Sequence, residues 1–427
     1  MKIAHIADIH MGLGYPGPSP DSRFDDICRV LDWCADRMIE EKVDVCLFAG
    51  DAFKDAKVML DRAYHEISAF YRWITTLANN GIHVVAISGT PSHDAIAAYE
   101  LMKEMSGDAG YGTIFTQPGI ADEFRWGSYV SKDELIPEDT AAMTRPAGCG
   151  GFFVDGHHKL NVVCIPGMNR SNIMTREEYR DMTTQEIHRL MSSKIVDIAQ
   201  GLRAQVENKD WPTILLTHLT YAEADTGFDQ LLMEHEPILT QDAVQGFDLV
   251  CLGHIHRAQQ IGGKNIFYAG SPERLSFNEE DETPGFWIHE LGGESTFIET
   301  PARRYITFDY SHEPDSGALD IRYLLERSTV WNVDGAIVRV RAKATEEQAQ
   351  RIDRKAIERD MYEGGAFFVQ EIKVEVERAE RARDREVTES LAPVDAVSKW
   401  GRQQQMDTDE IDALRGLTLE LLQEVAG

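Results

Sequence analysis

The apolar positions of this chain fall into short runs that stop abruptly on polar residues. KIAHIAD, from Lys2, reads as a buried strand that starts almost at the first residue. RFDDICRVLDWCADRMIEEK, from Arg23, repeats its apolar residues every three to four positions and predicts a helix. VDVCLFAGD is an apolar, β-branched run that closes on Gly50 and Asp51. LDRAYHEISAFYRWITTLANN is again helical, Gly81 stops it, and HVVAISG is the next strand. This alternation predicts α/β layers. Polar residues then stand at the carboxyl ends of strands, where open α/β sheets gather their ligands.

Residues 105–151 are less regular and carry GYG, QPG and RPAGCGG punctuation. KLNVVCIPG resumes a strand, and EEYRDMTTQEIHRLMSSKIVDIAQGLRAQVEN predicts a helix. TILLTHL and FDLVCLGHIH are two further strands, each ending in histidine, and KNIFYAGSPERLSFNEED and GFWIHEL extend the β system. The pattern shifts near Pro301. Beyond it, strand-like and helix-like segments alternate without motif residues, which predicts a small second α/β domain over 301–380 after a main domain over 1–300. Residues 381–427 begin as a charged linker and end in DTDEIDALRGLTLELLQEV, an amphipathic helix.

The chain has 427 residues, too many for one ordinary core. Its 43% hydrophobic and 27% charged residues suit a soluble globular protein, and no apolar run is long enough to span a bilayer. MKIAHIADIH lacks the pattern of a signal peptide. The six cysteines are scattered without a CxxC pair, so reduced thiols and a cytoplasmic location are expected. A net charge of -29 argues against a generally basic nucleic-acid binder. It leaves open an enzyme whose positive charge at the substrate comes from metal ions.

The strand ends hold the candidate chemistry. Asp8 and His10 follow the first strand, Asp51 the second, and His93 and Asp94 the third. His218 ends the fourth motif run, and His254 and His256 end the fifth. Asp and His are ligand types for Mn, Fe or Zn. Two such ions about 4 Å apart can hold a phosphodiester, lower the pKa of a bound water and stabilise the leaving oxygen. His93, if not a ligand, could protonate that oxygen. Each residue alone is a weak signal; the five elements in order are a strong one. His5, His65, His83, His188, His235 and His289 read as ordinary core or surface histidines, and His157 and His158 as an exposed hairpin turn.

These motifs together resemble the calcineurin-like metallophosphoesterases: D-x-H-x-G at Asp8, His10 and Gly12, then Gly50-Asp51, Gly89 to Asp94, His218, and G-H-x-H at Gly253 to His256. KIAHIADIHMG and YAGSPERLSFNEED look like the SbcD-like nuclease branch. The resemblance implies an α/β fold, a β-sandwich flanked by helices, with a small α/β capping domain and a C-terminal helical tail. It implies that Asp8, His10 and His256 hold one metal, that Asp51 bridges, and that His218 and His254 hold the second. His93 would be the catalytic histidine, oriented by Asp94. The cofactor would be two Mn ions, with Mg as the alternative.

The implied activity is that of a Mn-dependent exo- or endonuclease on double-stranded DNA ends. It would work with an SbcC-like SMC-type ATPase, docked on the C-terminal helix, in a bacterial or phage-infected cytoplasm. The chain has no GxxxxGK[ST] loop of its own for ATP. The helix near Leu60 to Asn80 could serve a homodimer, or equally be packed inside. Arg170, Ser171 and Asn172 in GMNRSNI, and Ser271 and Arg274 in GSPER, are candidate phosphate contacts.

One element departs from the family. Gly-Asn-His-Asp is replaced by Gly89-Thr90-Pro91-Ser92-His93-Asp94, so Ser92 stands where the asparagine ligand would. Either the longer turn brings Ser92 or Thr90 to the metal, or water fills the vacancy. A hydroxyl is the weaker donor, and the second metal is expected to bind less tightly. Two other functions follow if the resemblance misleads: a small-molecule phosphodiesterase, or a non-catalytic DNA-bridging subunit whose site has decayed at Ser92.

Overall fold

The computed structural model describes residues 1–19, 22–56, 60–92, 94–106, 112–121, 124–131, 143–144, 151–175, 180–227, 236–310, 332–377 and 392–426. The chain divides into two compact units. The first comprises residues 1–308, 325–340 and 354–372, and the second residues 309–324, 341–353 and 373–427.

The first unit is a sandwich of two six-stranded sheets. One sheet contains β1 (Lys2–Ile6), β2 (Val45–Phe48), β3 (His83–Ile87), β4 (Thr113–Phe115), β16 (Gly285–Glu290) and β17 (Ser295–Glu299), in the order β17-β16-β1-β2-β3-β4. The other contains β5 (Gly119–Ala121), β9 (Asn161–Ile165), β10 (Thr213–Thr217), β13 (Leu249–Leu252), β14 (Gln259–Gln260) and β15 (Ile266–Tyr268), in the order β14-β15-β13-β10-β9-β5. Each sheet has a parallel centre: β1 through β4 in one, and β9, β10, β13 and β15 in the other. Antiparallel strands close the margins, with β16 beside β1 and β5 beside β9.

The central strands are mostly apolar because both of their faces are covered, with polar residues such as His5, Asn161 and Thr217 each at or near a strand end. Ile3, Val45, Leu47, Val85 and Ile87 face inward and meet Val162, Cys164, Ile214, Leu216, Cys251 and Phe267 of the other sheet. Ala4, Ile6, Cys46, Phe48 and Val84 face outward, under α1 (Ser22–Glu40), α2 (Leu60–Asn79) and α3 (Ile96–Ser106). Each of these helices buries one stripe, including Leu31, Cys34, Phe70, Trp73 and Tyr99. A fully buried Leu, Ile or Phe contributes roughly 1.5–3 kcal/mol, so the stripes rather than helix propensity hold these elements in place.

On the far side, Val163, Leu215, Val250 and Tyr268 pack against Ile195 and Ala199 of a longer helix, Thr184–Gln205. The sequence pattern starts this helix several residues earlier. Thr183 caps it instead, accepting from the backbone N–H of Glu186 at 3.3 Å while Glu186 accepts from that of Thr183 at 2.8 Å. His157 and His158, expected at a turn, lie in a strand, Gly151–His158, whose backbone pairs with Phe124–Ser131. The short strands β6 (Phe124–Ser131), β7 (Met143–Thr144) and β8 (Gly151–His158) form one small sheet, and β11 (Thr220–Tyr221) pairs with β12 (Ile238–Leu239).

Three strands, β18 (Tyr305–Tyr310), β19 (Ile337–Thr345) and β20 (Phe368–Glu377), form a further sheet. In the second unit, helices Pro393–Gln403 and Thr408–Ala426 pair, with Ile411 against Gly401. No helix among the described residues is long and apolar enough to cross a membrane.

A buried charge cluster ties α1 to the loop after β15. Arg23, fully buried, donates to Asp26 at 2.6 Å and to the Arg274 carbonyl at 2.5 Å, and lies 3.5 Å from Glu273. Arg303 reaches the same Asp26 from beyond β17. Removing one member leaves buried charge without its partner, which costs about 3–5 kcal/mol. We expect Arg23→Met to lower the urea midpoint by a corresponding amount at unchanged m-value; a shift under about 1 kcal/mol would show the cluster to be dispensable.

Candidate metal centre

The parallel strands of both sheets end at one edge, and the polar residues that follow them meet there. Three of the turns hold four non-glycine residues in the left-handed region: Asp8 (φ 56°) and His10 (φ 45°) after β1, Asp51 (φ 56°) after β2 and His254 (φ 90°) after β13. Such backbone is costly for residues with a Cβ and clusters where the surrounding structure enforces a functional geometry. Asp8 N–H donates to the Gly50 carbonyl and His10 N–H to the Asp51 carbonyl, which locks the first two loops together. The backbones then approach so closely that only glycine fits. A Cβ on Gly89 would lie 1.9 Å from Asp51 Oδ1, and one on Gly253 would lie 2.1 Å from the Ala49 carbonyl.

Two donor sets form within this edge, one of Asp8, His10 and His256 and the other of Asp8, Asp51 and His218. Asp8 is common to both sets, and Asp51 also reaches both: its Oδ2 lies 3.6 Å from His10 Nε2 and 3.3 Å from His218 Nε2, whereas His254, expected with His218, is in neither set. His10 Nε2 and His256 Nε2 face each other at 3.2 Å. His254 stands ring to ring with His218, 5.2 Å between centroids. The site opens on a cleft of about 300 Å³ lined by His10, Asp51, His254, His256, Arg257 and Glu279.

Most of these histidines have their outward nitrogen already engaged, which selects the nitrogen that remains. His218 Nδ1 donates to the Ala49 carbonyl at 2.7 Å, and its Nε2 is buried without a well-formed hydrogen bond. His256 Nδ1 is 2.8 Å from Glu279, and His254 Nε2 is 3.1 Å from Glu236. Outer partners of this kind fix the tautomer and orientation of metal-binding histidines. An orphaned buried nitrogen beside carboxylates is what a divalent cation would satisfy, so the donor set fits a metal.

Glu279 and Glu236 are absent from the sequence-derived set. Glu279 lies in SFNEED, where an acid just beyond the SPER turn was the available signal. Glu236 had none, because it reaches His254 only through the fold.

The third loop is anchored by Asp94. Its Oδ2 accepts from Gly89 N–H at 2.7 Å and its Oδ1 from Phe53 and Ala95 N–H at 3.0 Å each. Ser92 is exposed on the turn, while Thr90 is buried, its N–H on Asp51 Oδ1 at 2.8 Å. His93, the expected acid, lies outside the described residues.

The candidate DNA contacts divide. Arg170 and Ser171 are exposed, and Asn172 accepts from Asn169 N–H within a capping box. Ser271 and Arg274 turn inward, contrary to their expected place on a polar turn. The Ser271 hydroxyl is buried against the carbonyls of Asp8 and Glu273. Arg274 donates to the carbonyls of Glu279, Glu282 and Arg303. Ser271 ties its loop to the one that carries Asp8, and Arg274 shapes the segment that carries Glu279.

Burial and charge shift the protonation of the site. Burial alone would lower His218, but the carboxylates of Asp51 and Asp8 hold it at about 10. The same contest, with Glu279 as the principal partner, holds His256 at about 9. Burial and the charge of Asp51 push Asp94 up to about 7, against the hydrogen bonds from Gly89, Tyr99 and Phe53. All three are raised. Their stabilising contribution is present at low pH and is lost as pH rises through the folded values. We therefore expect metal-free protein, held in chelator, to lose stability as pH rises from about 6 to 10. Urea midpoints that are flat or rising over that range would contradict the assignment.

Residues 1–258 match the calcineurin-like phosphoesterase family. Over 288 residues the chain is 26% identical to the SbcD subunit of the nuclease SbcCD from two Escherichia coli strains. The match covers 65% of this chain and 62% of each relative, less than two thirds of their length. Among solved structures, GAP50, the anchor in the inner membrane complex of Plasmodium, is 12% identical with a TM-score of 0.36, covering 70% of this chain and 84% of that one. The chain belongs to the calcineurin-like phosphoesterase family, whose members use divalent metal ions to cleave phosphate esters.

Proposed function

We propose that this chain is a DNA nuclease subunit that hydrolyses phosphodiester bonds with two Mn ions. The observation that carries the reading is the single oxygen of Asp51 between His10 and His218, the arrangement expected of a carboxylate shared by two metals. The 26% identity to a nuclease subunit supports DNA as the substrate.

Asp8, His10 and His256 would hold one ion, and His218 and His254 the other, with Asp51 between them. When bound, the ions would activate water and neutralise the charge of the phosphate. Glu279 and Glu236 keep the ring nitrogens aimed. Asp94 ties the third loop to the second through Gly89 and Phe53. His93, the neighbour of Asp94 in sequence, would protonate the leaving oxygen. The decisive experiment is incubation of purified protein with linear double-stranded DNA and Mn, beside His93→Ala. We expect degradation, reduced about 10²–10⁴-fold in the variant. Hydrolysis of a small phosphodiester such as bis-p-nitrophenyl phosphate without any cleavage of DNA would favour the small-molecule alternative.

Two assembly surfaces belong to the same proposal. In the second unit, helix Thr408–Ala426 exposes Leu417, Leu419, Leu421 and Leu422, an apolar face suited to a coiled-coil ATPase of the SbcC kind. In the first unit, Tyr64, Tyr71, Leu101 and Met105 line a groove of about 430 Å³ on α2 and α3, suited to a second copy of the chain. Truncation after residue 391 should abolish co-purification with the ATPase, and Tyr64→Asp with Leu101→Asp should turn a dimer into a monomer by light scattering. Retained ATPase binding, or an unchanged mass, would remove the corresponding surface.

A further inference from the structure

The third loop carries two more residues than its family counterpart, and its geometry shows where the extra length goes. Asp94 N–H donates to the Thr90 carbonyl at 2.8 Å, closing a five-residue turn. Gly89 N–H, immediately before that turn, is held by the Asp94 carboxylate. With both ends of the turn fixed, Ser92 is exposed and Pro91 half-buried. Thr90 stays inside. It is 3% exposed, its N–H is bound to Asp51, and its hydroxyl lies 3.3 Å from His254 Nδ1.

That nitrogen is the one His254 has left. Glu236 occupies Nε2, so Nε2 carries the proton and Nδ1 presents its lone pair. The Thr90 hydroxyl oxygen stands 3.3 Å from that nitrogen while the Thr90 N–H is held by Asp51, so one cation beside Asp51 can draw on both the oxygen and Nδ1.

We propose that the Thr90 hydroxyl, and not Ser92, supplies the neutral oxygen ligand at the second metal position, and that this position is the weaker of the two. The proposal rests on the two-metal reading above. A hydroxyl is an accepted donor to hard divalent ions. The inequality follows from the donors. Asp8 and Asp51 stand beside both positions. The first adds the imidazoles of His10 and His256, whereas the second adds His218 and completes itself with His254 and the Thr90 hydroxyl, which lie outside that donor set. A hydroxyl is a weaker donor than an imidazole, so the second position holds its cation less tightly.

The test is a titration of Mn into the full-length, metal-free protein, followed by calorimetry and by the EPR signal of free Mn. The unmodified protein should show two classes of site differing by about tenfold or more. Thr90→Val, which keeps the shape and removes the oxygen, should weaken the looser class by about tenfold and leave the tighter one unchanged. Thr90→Ser should restore it, and Ser92→Ala should leave both classes unaltered. Two equal classes, an unaffected looser class in Thr90→Val, or a loss in Ser92→Ala would each overturn the assignment while leaving the two-metal reading intact. Failure of the unmodified protein to bind Mn would overturn both.

Discussion

Everything at the metal centre depends on how closely two sheet edges can approach. The loops after β2, β3, β9 and β13 press backbone on backbone. Gly50, Gly89, Gly167 and Gly253 have neighbours within 2.6 Å of where a Cβ would be. An added methyl group there would part the sheets and move Asp51 away from the histidines. Glycine costs backbone entropy in the unfolded chain. Here that cost buys a distance no other residue permits.

This constraint explains why the strained turns are tolerated. Asp8, His10, Asp51 and His254 each hold a backbone conformation that free chain avoids. The parallel ladders, the Arg23–Asp26–Glu273 cluster and the inward-turned Arg274 fix the loops from outside. Histidines are then aimed by groups behind them: the Ala49 carbonyl for His218, Glu279 for His256 and Glu236 for His254. Precision at the site thus comes from a shell with no chemistry of its own.

The acidic character of the chain fits this organisation. Carboxylates crowd a buried site and raise the proton affinity of Asp94, His218 and His256. The natural relief is a pair of cations. On the proposed DNA substrate, a protein of net charge -29 would rely on such cations for attraction.

The sequence by itself determined the strands, because a strand covered on both faces is dominated by apolar residues, as the cores of KIAHI, VCLF and TILLT are. It also determined the candidates at the strand ends, Asp8, His10, Asp51, His218, His254 and His256, because polar residues just beyond such runs emerge at the sheet edge. Tertiary structure alone decided which neighbours those residues have. Thr90 meets His254 across 164 positions and Glu279 meets His256 across 23. No periodicity encodes either pairing. Ser92 stood nearer the histidine in sequence than Thr90, yet it lies exposed on the turn. Ser271 and Arg274 looked like a surface turn, yet they face inward because buried carbonyls there need donors. Local pattern reports what a residue can do; only packing fixes what it touches.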